Sequence, residues 1–325
     1  MTRPTRARCC WVLALVLLGS GRATADTEVM TESLQLTFSE TGTLKSAVAC
    51  LPACDAQTTR TRRFGGTGDV LGFERSTARQ PRLERLETEL ETVLTFYGAD
   101  GTPGSVWHIP RQGWTIRLRL EEPAGLRLRS GEAFRPPPSA GFGTLLERLR
   151  YTWQSEDGVG GAELDAEETT RLTSANWFGF RLRFWAALMA ADRPLVAELQ
   201  SAPQQQEAEI RVASPDAGPL LVRVYLGPVE SASLASADAE LTELMYASLW
   251  YPLRLICRGL YLLLDAIYAL VPHWGAAIML LSLAVGFLMR PLTRIADRLQ
   301  DEVHRTEARL APELQEIKRR FKGEA

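Results

Sequence analysis

Sixteen consecutive uncharged residues late in the chain constrain it most: Trp274-Gly-Ala-Ala-Ile-Met-Leu-Leu-Ser-Leu-Ala-Val-Gly-Phe-Leu-Met289. With Arg290-Pro-Leu-Thr293 the segment reaches about 20 residues, the length one helical bilayer crossing needs. Trp274 suits a membrane–water interface. Arg290, Arg294 and Arg298 cluster beyond the other end, against one nearby acid, Asp297. Because basic loops are retained on the cytoplasmic side, this end is expected inside the cell and the preceding chain outside it.

The N-terminus points the same way. Arg3, Arg6 and Arg8 precede an eleven-residue apolar run, Cys9 to Gly19, and Ala23-Thr-Ala25 forms a small-x-small cleavage site. That order of parts describes a secretory signal over 1–25. The run is too short to span, so it is either a cleaved signal or a short uncleaved anchor. Both readings start the chain outside the cytoplasm from Asp26 onward.

Charge excludes one class of partner. With 37 basic and 39 acidic residues the net is −2, and the long middle of the chain has no basic excess, so no nucleic-acid role is expected. At 46% apolar the chain can build a core and is not disordered by composition.

From about Ser33 to Gly227 the signal is alternation. Leu34, Leu36 and Phe38 sandwich Gln35 and Thr37; Trp114, Ile116, Leu118 and Leu120 alternate with Thr115, Arg117 and Arg119. Period 2 marks half-buried strands. Turn residues recur, among them Glu40-Thr-Gly42, Asp100-Gly101 and Gly160-Gly161. Many short strands with such punctuation argue a mainly β, antiparallel sandwich-like domain over 26–245. Arg82 to Thr92 fits helix or strand. Asn176 to Met189, dense in aromatics, is read as a mixture of strand and helix, its Trp and Phe residues as core. Ser236 to Ser248 is read as a helical connector toward the membrane, with Asp238 as N-cap and Leu241, Leu244 and Met245 on one face.

Within 246–272, Arg254, Arg258, Tyr261 and Asp265 fall at i, i+4, i+7 and i+11 and form one polar stripe on an otherwise apolar helix. Burying these charges at mid-bilayer would cost several kcal/mol, so an amphipathic helix in the membrane interface is favoured over a second crossing. Pro272 breaks the chain before the transmembrane helix, 273–293. In the tail, 294–325, Ile295, Leu299, Val303, Thr306, Leu310, Leu314, Ile317 and Phe321 follow the near-3.5 spacing of a coiled-coil seam. Pro312 is expected to kink or restart that helix.

Catalytic chemistry finds no foothold. His108, His273 and His304 are dispersed, so no metal site is expected, and neither a cofactor motif nor a nucleophile elbow occurs. The carboxylates of Glu163 to Glu168 read as a solvated loop. Cys50 and Cys54, in Cys-Leu-Pro-Ala-Cys, can pair in an oxidising compartment. Three intervening residues rather than two argue against a redox-active pair.

Several segments together resemble the YidC-type membrane protein insertases, in the Gram-negative form with a large periplasmic domain. They are Leu249-Trp-Tyr-Pro-Leu253, Trp274-Gly-Ala-Ala-Ile278, Arg290-Pro-Leu-Thr293 and Leu310-Ala-Pro-Glu-Leu-Gln-Glu-Ile-Lys-Arg-Arg-Phe-Lys-Gly323. Leu34 to Leu44, Trp177 to Trp185 and Tyr225-Leu-Gly-Pro228 resemble landmarks of the same family. The resemblance implies a periplasmic β-supersandwich, an interfacial helix, a transmembrane helix and the first arm of a cytoplasmic hairpin carrying Leu310, Leu314, Ile317 and Phe321.

Two departures accompany it. The family's groove arginine stands five residues before the Pro of Pro-Leu-Thr, where this chain has Gly286. Arg290, four residues on and on the same helical face, is either a displaced substitute or a snorkelling interface charge. The sequence also stops after the first arm, and one helix cannot enclose a polar groove in lipid. The expected function is therefore a non-enzymatic, inner-membrane insertase-family protein, acting on nascent inner-membrane proteins with the Sec translocon or a polytopic partner. The alternatives are a membrane-anchored periplasmic binding or scaffold module, or an inactive relic.

Overall fold

The computed structural model describes residues 17–22, 26–56, 60–66, 68–73, 82–98, 100–121, 125–134, 148–155, 158–163, 170–173, 175–202, 207–213, 218–247 and 249–320. It divides into two compact units, Met1–Ser248 and Leu249–Ala325.

Alternation becomes strand wherever one face meets the core and the other meets solvent. Leu34, Leu36 and Phe38 are buried while Gln35 and Thr37 are half-buried; Ile116, Leu118 and Leu120 are buried while Arg117 and Arg119 are exposed. Numbered in chain order, the strands form two antiparallel sheets. The first runs β1 (Leu17–Arg22), β7 (Arg82–Glu87), β8 (Glu91–Tyr97), β9 (Pro103–Pro110), β10 (Thr115–Leu120), β19 (Leu220–Pro228), β16 (Trp185–Ala191), β15 (Trp177–Arg181), β12 (Arg150–Ser155) and β13 (Gly158–Glu163). The second runs β14 (Thr170–Leu172), β17 (Val196–Ala202), β18 (Glu207–Ala213), β11 (Leu126–Arg129), β6 (Leu71–Phe73), β4 (Leu44–Leu51), β3 (Leu34–Phe38) and β2 (Thr27–Met30), with β5 (Arg60–Gly65) paired to β4. The chain is thus mainly β, a sandwich followed by C-terminal helices.

The inner faces interlock across the sheets. Phe38 of β3 meets Trp107 of β9 edge to face, ring centroids 4.9 Å apart, and the Trp107 Nε1–H donates to the Gly42 carbonyl at 2.9 Å. Gly42 adopts φ +82°, and a Cβ there would sit 2.7 Å from the Phe96 ring, so the turn and the packing both call for glycine. Tyr151 of β12 donates its hydroxyl to the Gln200 carbonyl of β17. Burial pushes the Tyr151 phenol well above its ordinary value, so it stays a neutral donor.

Three sequence readings are decided, corrected or refined here. Arg82 to Thr92 is strand β7, a turn, and the start of β8; Thr88 closes the turn by exchanging hydrogen bonds with Glu91. Asn176 to Met189 contains no helix: it is the β15–β16 hairpin. Trp177, Phe178, Gly179 and Phe180 are buried without alternation, because a further layer covers the outer face of these strands. A strand buried on both faces loses its period-2 signature and reads like a helix segment. That layer is the third reading, borne out as helical and refined in detail. The expected connector is α1 (Ser231–Ala237) followed by a 3-10 helix (Ala239–Tyr246), folded onto the first sheet with Leu234, Leu241 and Leu244 buried.

Leu17–Arg22, placed by the sequence in the leader, lies along β7 as β1; the ladder groups of β7 on that side take it as a partner. The remaining leader residues, 1–16 and 23–25, lie outside the described residues.

In the second unit, α2 (Tyr251–Leu270) and α3 (Trp274–Arg320) are separated by Val271-Pro-His273, so Pro272 does break the chain. Pro312 does not: α3 runs through it for 47 residues, about 70 Å at 1.5 Å per residue. A helix interior loses a hydrogen bond and gains a carbonyl clash at proline. Here the flanking Ala, Glu, Leu, Gln and Arg residues favour helix on both sides, and the turn is kept.

Candidate functional site

The helical unit holds most of the residues singled out by the sequence. Tyr251–Leu270 forms a helix because it is rich in leucine, with Pro252 in its first turn, where the missing N–H has no partner to lose. The helix presents three faces. Arg254, Arg258, Tyr261 and Asp265 make the polar one. Leu255, Ile256, Leu262 and Leu263 are exposed and make an apolar one, a third of a turn away. Cys257, Leu260, Leu264, Ile267 and Tyr268 are half-buried and form the face that meets α3.

The junction is locked by aromatic stacking. Tyr268 lies on Trp274 with ring centroids 4.0 Å apart and planes 19° apart, and Ala277 of α3 is fully buried. The Arg254 Nε–H folds back to donate to the Leu249 carbonyl at 2.6 Å, which fixes the start of α2. Arg258 and Asp265 are solvent-exposed in the isolated chain.

On α3, the span Trp274–Pro291 is long and apolar enough to cross a membrane. Leu283, Phe287 and Leu288 are exposed along it. Two of its hydroxyls are satisfied within the helix, since Ser282 donates to the Ile278 carbonyl at 2.9 Å and Thr293 to the Met289 carbonyl at 2.8 Å. A side chain so paired needs no water. Arg290 lies with its guanidinium 5.9 Å from the centre of the Phe287 ring. Gly286 has open space around it: a Cβ would meet nothing within 4 Å. The backbone therefore does not dictate glycine at the position where the family pattern carries arginine.

Leu310 is exposed on the far part of α3. Leu314 and Ile317 lie on helical backbone, and Phe321 lies outside the described residues. In the β unit, the Cys50 and Cys54 sulfurs stand 2.14 Å apart and their Cα atoms 4.9 Å apart, around a cis Leu51–Pro52 bond. The same loop is held from outside, as the Cys50 and Cys54 N–H groups donate to the Ser33 and Glu32 carbonyls at 2.9 and 2.7 Å.

One cluster escaped the sequence reading. Asp238 caps the 3-10 helix by accepting from the Glu240 N–H at 3.2 Å. It also accepts from the buried Trp177 Nε1–H at 3.1 Å. Arg223 stacks over the Trp177 ring, 4.8 Å from its centre, and reaches Asp238 at 3.8 Å. At the other end of this helix Arg181 donates to the Leu244 carbonyl at 3.0 Å. The N-cap was legible in Asp238; its partners come from strands 15 to 61 residues earlier, and no local pattern encodes them.

Curated relatives share one name. A Helicobacter pylori membrane protein insertase YidC is 30% identical over 100 residues, 31% of this chain and 17% of the relative. A Treponema pallidum membrane protein insertase YidC is 30% identical over 113 residues. A Shewanella woodyi protein of the same name is 25% identical over 202 residues, 59% of this chain and 35% of its own length. Over these stretches the chain is similar to YidC membrane protein insertases. It spans well under half the length of these curated YidC relatives. No family model matches it. Among solved structures, a crystal structure titled as an active YidC insertase with its first transmembrane domain resolved covers 85% of this chain and 57% of that one, at 15% identity and a TM-score of 0.42.

Proposed function

We propose that this chain serves the insertion or folding of inner-membrane proteins in a bacterium. The β unit then lies in the periplasm, α2 rests in the membrane interface, and α3 crosses with Trp274 outward and Arg290, Arg294 and Arg298 inward. The observation that carries the reading is the combination of YidC relatedness with the helical pair: one face of α2 is held on α3, and the other two separate charge from exposed apolar side chains. That division suits a helix at the boundary of headgroups and acyl chains.

Two helices cannot enclose a polar groove in lipid, so insertase activity calls for further helices around α3. The exposed face of its membrane span and the seam of Leu310, Leu314, Ile317 and Phe321 are where they would pack. The Sec translocon or another polytopic protein is the expected source. Expression of the full chain in an insertase-depleted strain tests this reading, together with purification in mild detergent. Rescue and recovery of a polytopic partner are the expected results; neither occurring would refute it.

A second reading rests on Gly286. Without an arginine at that level of α3 the chain would act as a membrane-anchored periplasmic binding or scaffold module. Failure to rescue, with capture of a periplasmic protein or glycan by the same full chain, would favour it.

A further inference from the structure

Exposed apolar side chains in the β unit gather at one end. Its large hydrophobic residues with substantial exposure, among those described, are Met30 at 67%, Leu90 at 83%, Phe184 at 58% and Leu221 at 49%. Met30 ends β2, and Leu90 and Phe184 lie on turns; the sheet topology brings all three to the same end. Leu90 joins β7 to β8, and its carbonyl accepts from the Arg111 N–H in the β9–β10 turn at 2.9 Å. The Arg111 carbonyl in turn accepts from the Glu32 N–H, two residues past Met30, at 3.1 Å. Phe184 joins β15 to β16, and its carbonyl accepts from the Val229 N–H, just beyond the end of β19, at 2.8 Å. Leu221 lies at the start of β19, the opposite end.

The chain leaves the β unit at this same end. The 3-10 helix begins with Asp238 bonded to Trp177, the first residue of β15, and finishes with the Leu244 carbonyl bonded to Arg181, its last. It thus returns to the end that carries Phe184, and α2 begins at Tyr251. The tips are also stiff. Arg183 lies over the Phe184 ring at 4.8 Å, and the Cys50–Cys54 loop is bonded to Glu32 and Ser33 beside Met30. Exposed Arg111 and Arg183 alternate with Glu32 and Glu89 there, so net charge does not mark the surface; exposed apolar side chains do.

We propose that this end of the sandwich rests in the headgroup layer of the bilayer that α3 crosses, with Met30, Leu90 and Phe184 dipping toward the acyl chains. Tips with apolar side chains flanked by arginine suit that boundary: the ring or branched chain enters, and the guanidinium stays with the phosphates. The proposal rests on the membrane-crossing reading of α3 and adds an orientation of the periplasmic unit to it. Neutral phosphatidylcholine is sufficient as the partner surface.

The test uses the full chain in phosphatidylcholine vesicles carrying a spin-labelled acyl chain. A Cys257→Ser background carries a nitrobenzoxadiazole probe on one introduced cysteine: Leu90→Cys, Phe184→Cys, Leu221→Cys or Leu283→Cys. Loss of emission is expected at 90, 184 and 283 and not at 221. A probe at Gln112→Cys loses emission too, and a Met30→Ser/Leu90→Ser/Phe184→Ser variant abolishes that loss. These three side chains are exposed, so their replacement leaves the core intact. Quenching at 283 but not at 90 or 184, or equal quenching at 221, overturns the proposal and leaves the crossing standing. Absence of quenching at 283 overturns the crossing itself, and this proposal with it.

Discussion

Asp238→Ala should loosen the helical layer that covers the first sheet. The carboxylate caps the 3-10 helix and accepts the Nε1–H of Trp177, a residue 1% exposed. Losing an N-cap costs about 0.5–2 kcal/mol, and stranding a buried donor costs about 1–3 kcal/mol. Because the Asp238 side chain is 30% exposed, water offsets part of both, and a loss of about 2 kcal/mol is expected. With a urea dependence of about 2–3 kcal/mol per molar, the unfolding midpoint of the β unit, followed by tryptophan emission of the full chain in mild detergent, should fall by just under about 1 M. Asp238→Asn keeps a capping acceptor and should recover most of the loss. In a Trp177→Phe background no donor is left stranded, so Asp238→Ala should cost only the cap, about 1 kcal/mol. A midpoint unchanged by Asp238→Ala, or an equal cost in both backgrounds, would refute the reasoning.

Further consequences are independent of this layer. Burial alone would raise the Glu209 carboxyl, but hydrogen bonds and charge from Arg211 and Arg129 hold it below its ordinary value. The stability it contributes is therefore present above the unfolded glutamate pKa and lost as pH falls through the lower folded one. Glu209→Gln should flatten the acid limb of a stability–pH profile by about 1 kcal/mol or less, as the group is partly solvated. Cys50 and Cys54 should be refractory to alkylation without reductant, and a double serine variant should lose about 2 kcal/mol, read by thiol counting and urea unfolding. Gly286→Arg should fold, since nothing crowds the position, and should raise rescue of an insertase-depleted strain if an arginine at that level is what the chain lacks.

How much of this was legible in the sequence depends on how many faces of each element are covered. β3, β8 and β10 have one solvated face, so their alternation names both the strand and its inward residues. β15, β16 and the end of β19 are covered on both sides, by the opposite sheet and by α1 with the 3-10 helix, and there alternation vanishes. Arg82 to Thr92 was ambiguous for another reason: Leu83, Leu86 and Leu90 suit a helical stripe as well as a hairpin, and only pairing of Leu83 with Phe96 and Leu86 with Val93 decides. The break at Pro272 was local and legible. The continuity of α3 through Pro312 was not, because a proline rule weighs one residue and not its neighbours. Among the site residues, the polar stripe of Arg254, Arg258 and Asp265 could be read from spacing. The face of α2 that meets α3 could not, because it depends on the Tyr268–Trp274 stack across the turn.

The orientation of α3 tests the account most directly. Single cysteines at Gln112 and Leu310, probed in intact cells with a membrane-impermeant maleimide, report the two sides. The account has Gln112→Cys labelled once the outer membrane is permeable and Leu310→Cys labelled only after the inner membrane is opened. Labelling of Leu310→Cys with the inner membrane intact would contradict it.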